Sequence, residues 1–567
     1  MGRLAWSQVR FRPARTLALI AGVLVAAAAF TVLTAASRTL QARTVGKVSA
    51  NFAPAYDILA RPRGARTAVE SKTGTVEPDF QSGIYGGITM AQWHQIEQIP
   101  GVQVAAPVAM VGYAQLQDSM FVPVPASALK GSGRQLYRIS TTWVSDNGAS
   151  RVAQPPGYLY VTPLRLTGGA NGGAVLHNSC GAAAVVPSRA TNPFGTAAQS
   201  YTECWSRVNH YGMPPAPGSG TAAGYFVTWT VPVLIAAIDP DAEAKLDGLS
   251  KALVSGSYLR ENEGARGPTL PVLASSASGM NEYAQTTLQQ LAAPSAMPDM
   301  NDARESAQAS APGRTVATVR TTAQQAYSAV LNGPPTDYEG TAAGDFVEGY
   351  WSVGPVDYQR TTAGALTPRQ VVNPPSVWYT DSLSRVAMDD EGSQYRTVTS
   401  HVTAQSTLPG GYSVALIKVA GVFAPARIRS FDPLSQVPLG DYQPVVAAPA
   451  NAASRRALHG GDLLPSQNLG GLVSQPVNLI TTLAALPALE NHHNYTGVPT
   501  ADPISVIRVK VAGVTGPGAL SRERTSAVAQ QIAERTGLDV DIIGITGSLA
   551  GAGAGLGAAA WFSCPPG

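Results

Sequence analysis

Between Arg15 and Arg38 the chain runs for 22 residues without a charge, TLALIAGVLVAAAAFTVLTAAS. As a helix at about 1.5 Å per residue, such a run covers a hydrocarbon core of roughly 30 Å. The apolar core of a cleavable signal peptide is shorter, about 7 to 15 residues. The expectation is therefore an uncleaved transmembrane helix over 16–37, although small residues at Ala35 and Ala36 also suit a signal peptidase. Arg3, Arg10, Arg12 and Arg15 precede the helix, and no acid occurs before Asp57. That asymmetry puts the basic flank 1–15 in the cytoplasm and the bulk of the chain outside, a single-pass protein of the cell membrane. Leu4, Trp6, Val9 and Phe11 interleave with the arginines, a mixture suited to the inner membrane surface or simply to an ordinary basic flank.

The chain beyond this helix is long enough for several ordinary domains and a sizeable core. Hydrophobic residues make up 45% of the chain and long charge runs are missing, so disorder is not expected. The formal net charge is only +3 and evenly spread, which argues against nucleic acid as a partner. YFVTWTVPVLIAAI (Tyr225 to Ile238) is apolar but short, holds Pro232, and is rich in β-branched and aromatic types; it reads as a buried strand. YSVALIKVAGVF (Tyr412 to Phe423), interrupted by Lys418, reads the same way.

Two places carry a strand–helix–strand pattern. In the first, AYDILARP is followed by ITMAQWHQIEQIPGVQVAAPVAMVGY. Thr89 and Gln92 have capping-box spacing, Trp93, Ile96 and Ile99 form one apolar helix face, and Pro100-Gly101 ends the helix. Val102 to Val111 is the next strand. The second unit is ISVIRVKVAGVTGPGALSRERTSAVAQQIAERTGLDVDII. Val506 to Val511 reads as a strand, Ser521 as the cap of a helix with Val528, Ile532 and Ala533 inward, and Gly537 as its left-handed stop. Leu538 to Ile543 is the return strand. The predicted class is α+β: an anchor helix, then a large extracytoplasmic domain whose two core parts, 38–115 and 501–543, pack in one layer. Between them lies a β-rich insertion, 116–500. Its segment 281–331 is expected to be helical, on the strength of NEYAQTTLQQLAA and VRTTAQQAYSAVL.

The anchor helix, then YDILARP, then a helix ending in IPGVQVAAPVAMVGY, resembles the start of FtsX/MacB-type ABC transporter permeases of high-GC bacteria. VPVLIAAIDPDAEAKLDGL (231–249), FDPLSQVPLGDYQP (431–444), NLGGLVSQPVNLITTLAAL (468–486) and the second strand–helix–strand unit fit the same picture in order. The resemblance implies a permease subunit whose outer domain handles a substrate or an envelope partner. It further implies three more membrane helices, a homodimer or a related second permease, contact with membrane lipid, and a separate cytoplasmic ATPase subunit. After DVDI the pattern departs. Residues 544–567 are a Gly/Ala-rich tail with few large apolar side chains, a poor membrane helix, and are expected to be a truncated or frame-shifted end. A single-pass anchored binding protein is the alternative, and a secreted hydrolase with a long signal is a third reading.

Motifs for chemistry are sparse. No GxxxxGK[ST] or GxSxG occurs, so neither an ATPase nor a hydrolase is expected in this chain. GAGAGLGA near Gly553 opens no convincing helix and is read as chance Gly/Ala alternation rather than a dinucleotide loop. His492-His493 and the acidic triplet Asp389, Asp390 and Glu391 lack ligands at metal spacing and read as solvated loops. No catalytic residue, cofactor or metal is predicted. Cys180 and Cys204 are near enough in sequence to form a disulfide in an oxidising compartment; two free thiols are the alternative.

Overall fold

The computed structural model describes residues 55–543, apart from 164–184, 192–196, 209–222, 265–268, 293–310, 333–345, 374–393, 402–414, 429–441, 490–498 and a few shorter gaps. The expected anchor at 16–37, Cys180, the acidic triplet, His492-His493 and the tail 544–567 lie outside these residues, as does the side chain of Cys204. Among the described residues no helix is long and apolar enough to cross a membrane.

The chain is a mixed α and β protein, rich in strands. In order, the strands are β1 (Ile58–Arg61), β2 (Val102–Pro123), β3 (Gln135–Ser145), β4 (Ser150–Ala153), β5 (Gly157–Thr162), β6 (Val185–Thr191) and β7 (Ala197–Ser206). Next come β8 (Gly224–Ile238), β9 (Leu253–Gly256), β10 (Thr269–Ser275), β11 (Tyr283–Gln290), β12 (Arg314–Thr322), β13 (Phe346–Val347) and β14 (Tyr350–Val353). The last are β15 (Tyr358–Arg360), β16 (Leu366–Pro368), β17 (Val398–Ser400), β18 (Ala415–Phe423), β19 (Val477–Thr482), β20 (Val506–Val511) and β21 (Asp539–Ile542). The α-helices are α1 (Ala68–Thr73), α2 (Met90–Glu97), α3 (Pro240–Leu246), α4 (Ala323–Asn332), α5 (Ala452–Ala457) and α6 (Ala519–Thr536).

The main sheet runs β13-β18-β10-β19-β8-β2-β20-β1-β21, with β14, β17 and β9 attached. Its β20-β1-β21 end unites the two strand–helix–strand units. Strands drawn from 116–500 extend the same sheet; other strands of that region form a second sheet, β12-β11-β3-β5-β7-β6 with β4 on β3, and β15 pairs with β16. β2 continues well past Val111 and past residue 115, because β8 pairs with it without a break in the ladder from Gly112↔Ile235 to Pro123↔Gly224.

Alternation along the strands sorts the core into layers. On one face of the main sheet, Ile58, Ala60, Ile507 and Val509 meet Trp93 and Ile96 of α2 and Val528 and Ile532 of α6. Further along that sheet, Val231, Val233, Ile235 and Leu479 meet Tyr137, Trp143, Leu159 and Leu288 of the second sheet and Tyr327 of α4. Trp143 and Trp229 pack edge to face there, ring centroids 4.5 Å apart. On the opposite face, Leu234, Ala236, Ile238, Leu59 and Val506 pack with Leu249, Trp351, Phe423 and Tyr442.

The capping box at α2 is present in full. Thr89 Oγ1 accepts from Gln92 N, and Gln92 Oε1 accepts from Thr89 N at 2.9 Å. Gln92 Nε2 also donates to Thr536 O at 2.9 Å, tying α2 to the end of α6. Thr89→Ala is expected to cost about 1 kcal/mol in a urea melt; no measurable change would show the cap to be redundant. Gly537 closes α6 in the left-handed region, φ 70°, as expected.

Two local expectations are corrected. Segment 281–331 is not helical throughout: among its described residues, NEYAQTTLQQLAA contributes β11, Arg314–Thr322 is β12, and α4 is the helix. Ala284, Thr286 and Leu288 are buried at a period of two, and β11 is flanked on both sides, by β3 and β12. Those two ladders override the helix preference of Gln, Ala and Leu. Ser521 does not cap α6. The helix starts earlier, from Gly518, and Ser521 is buried in its first turn, where its carbonyl accepts from Thr525 Oγ1 at 2.8 Å.

Candidate functional site

The entering and leaving strands of the domain meet at one sheet edge. β1 pairs antiparallel with β21, Ile58 opposite Ile542, and Ile543 N donates to Asp57 O at 2.8 Å. The chain therefore arrives at Asp57 and departs at Ile543 on the same side of the sheet.

Charged side chains fasten this edge, Arg61, Glu70 and Asp57 among them buried. Arg61 is 1% exposed. Its Nη1 donates to both oxygens of Glu70, at 2.9 and 3.0 Å, and its Nε donates to Asp541 Oδ2 at 2.9 Å. Arg66 reaches the same strand, giving Nε to Asp541 Oδ1 at 3.0 Å and Nη2 to Val540 O at 2.8 Å. Gly64 N donates to Asp539 Oδ2 at 2.8 Å. Glu70 also accepts from the backbone N–H groups of Thr67 and Glu77, both at 2.8 Å. One turn, Arg61 to Glu70, thus holds β21 against β1 by charge-assisted bonds.

On the neighbouring strand, Asp57 Oδ2 accepts from Val511 N at 2.8 Å and Oδ1 from Lys510 Nζ at 3.1 Å. Burial pushes the Asp57 carboxyl above its ordinary range, and the Val511 N–H and the Lys510 charge offset this only in part.

A second charged group ties the edge to the middle of the sheet. Arg508 on β20 pairs with Glu243 on α3, both side chains fully buried. Tyr442 donates its O–H to Glu243 Oε1 at 2.6 Å. Tyr258 donates to Pro240 O at 2.9 Å; burial, with the Glu243, Asp247, Asp239 and Asp241 charges around it, pushes its phenol up. Glu243, Tyr442 and Arg508 thus come together from three distant parts of the chain. Residues 477–482 supply β19 beside β8.

None of these charged residues stood out in the sequence as a site. The usable signal was an arginine in each of two mostly apolar strands, Arg61 at the end of ILAR and Arg508 within VIRVKV. Of the expected disulfide, the described residues hold only the backbone of Cys204, in β7 opposite Tyr160. Ser352 Oγ lies 2.7 Å from His401 Nε2, and His401 stacks on Tyr350. That pair runs diagonally between β14 and the residue after β17, an ordinary cross-strand contact. Among the described residues no three His, Cys, Asp or Glu side chains converge as a metal site would require. What the arrangement can do is mechanical: it fastens β1, β20 and β21 to one another and β20 to α3.

No protein-family model, curated protein or solved structure matches the chain.

Proposed function

We propose that this chain is the anchor and outer domain of an FtsX/MacB-like ABC transporter permease, which passes ATP-driven movement at the membrane to a substrate or partner outside it. The observation that carries the reading is the pairing of β1 with β21. A domain inserted between two membrane helices must return its ends to one place, and Ile58 and Ile542 lie opposite one another. A rigid link from that place into the domain is the second requirement, and the Arg61, Asp541, Glu70 and Arg508, Glu243 groups supply one. The uncharged segment 16–37, upstream of Asp57, is of the right length to bring the chain out of the membrane.

The test is fractionation of the native host. An intact Met1 or Gly2 in the membrane fraction and an ATPase subunit co-purifying in mild detergent are expected. Release as a soluble protein cleaved near Ala36 would overturn the reading. The alternative reading is a single-pass anchored binding protein. Sequencing the gene from codon 535 onward, in all three frames, separates the two. Another frame leading into apolar helices supports the permease; no such frame supports the single-pass protein.

A further inference from the structure

Away from the base, one seam joins the second sheet to the loop that leads into β19. All three non-glycine residues with positive φ among the described residues sit in it: Asp146 (52°), Asn147 (56°) and His459 (51°). Such residues are uncommon, and their clustering marks a seam whose backbone is held by its contacts. Asn147, in the turn after β3, donates Nδ2 to Asp462 O at 2.7 Å and accepts from Asn281 Nδ2 at 2.9 Å. Its carbonyl lies 2.9 Å from His459 Nδ1. Just before β11, Asn281 N donates to Pro465 O at 3.0 Å, and Glu282 Oε2 accepts from Gln467 N at 2.9 Å.

Glu282 is the anomaly. Its carboxyl is buried at the seam, and among the described residues no lysine or arginine pairs with it. The ionisable groups around it in the seam are Asp146, on the turn after β3, and His459 and Asp462, on the loop after α5. The seam has unused hydrogen-bonding capacity as well. Gln467 Nε2 and Gln475 Oε1 are buried without partners, while Gln475 Nε2 donates to Ser466 O at 3.0 Å. The loop is anchored to the rest of the domain on its other side: Arg396 donates to Gly471 O and Leu472 O, and Ser82 Oγ to Ser474 Oγ.

We propose that Glu282 is a proton-operated latch: protonated, it lets residues 465–475 dock against the second sheet; ionised, it loosens that docking. A neutral carboxyl can still accept from Gln467 N–H and gains an O–H to donate. A carboxylate in the same place faces desolvation and the Asp146 charge with one backbone N–H in compensation. Burial pushes the Glu282 carboxyl up to about 8, with Asp146 adding to the rise and the Gln467 N–H opposing it. The docked form holds its proton more tightly than the open form, so docking is strongest below the ordinary carboxyl range and is lost as pH rises through about 8. The latch does not depend on the permease reading; it responds to the pH of whatever compartment the domain occupies.

Hydrogen exchange of the full-length chain between pH 6 and 9, corrected for intrinsic rates, tests it. Protection of 465–475 and of the β11 segment 281–290 is expected to fall by up to about tenfold per pH unit from pH 6 to about 8, where the docked form itself ionises, and to level off above that. The α6 peptide should hold its protection. Glu282→Gln should remove the fall. Asp146→Asn, which suits the left-handed backbone there, should move the levelling-off to lower pH by removing the neighbouring charge. A flat profile in the wild-type chain, or the same fall in Glu282→Gln, would overturn the proposal. If Glu282→Gln does not fold, the levelling-off pH in Asp146→Asn decides alone: a downward shift supports the latch and no shift rejects it.

Discussion

Replacing Arg508 by alanine is expected to remove about 3–5 kcal/mol of stability, enough to take much of what a domain has. Arg508 and Glu243 are both fully buried. Taking away the guanidinium leaves the Glu243 carboxylate in a dry core, with the Tyr442 O–H donating to it at 2.6 Å. The large cost is that of an uncompensated charge rather than the worth of the pair itself. A double replacement, Arg508→Met with Glu243→Leu, should therefore recover most of the loss, because neither charge remains. Urea denaturation of the two single variants and the double variant separates these terms. If Arg508→Ala costs under about 0.5 kcal/mol, water reaches Glu243 and the group is no rigid link. If the double variant is as unstable as the singles, the loss comes from packing at Val506, Ile238 and their neighbours instead.

The same residues show how far the sequence could be read. Features set by neighbours in the chain were legible. Thr89 with Gln92, Pro100-Gly101 and Gly537 act within a few residues of themselves, and the structure places α2 and the end of α6 where they predict. Val506–Val511 and Tyr225–Ile238 were legible as strands because buried β-branched runs have few other uses. Features set by distant partners were not. NEYAQTTLQQLAA has the composition of a helix, and only its place between β3 and β12 makes it a strand. The continuation of β2 into GYAQLQDSMFVP depends on β8, more than a hundred residues later. Arg61 and Asp541 are 480 positions apart, and Arg508 and Glu243 are 265 apart. A buried ion pair of that separation leaves no periodic trace in either strand. Glu282 was hidden for a further reason: it lay within a stretch read as helix, where an isolated glutamate is expected to face water.

The second large effect is expected at Glu70, and it should be local before it is global. Glu70 accepts four hydrogen bonds, two from Arg61 and one each from Thr67 N and Glu77 N. Glu70→Ala strands the two backbone donors and leaves the buried Arg61 to Asp541 on β21. A loss of about 3 kcal/mol is expected. Because β21 is four residues long and, among the described strands, pairs with β1 alone, it should open first. Amide exchange at Val540 to Ile542 should then rise well before that of β20, which is paired on both sides. Glu70→Gln keeps the acceptor and the shape but removes the charge, so it should cost less and open β21 less. The comparison bears directly on the permease proposal. Were the clamp to transmit movement from the membrane, both chain ends would have to move with the sheet as one body, and slack at β21 would uncouple one of them. If Glu70→Ala leaves β21 as protected as in the wild-type chain, backbone pairing alone holds the ends together. The charged frame would then have no part in any coupling.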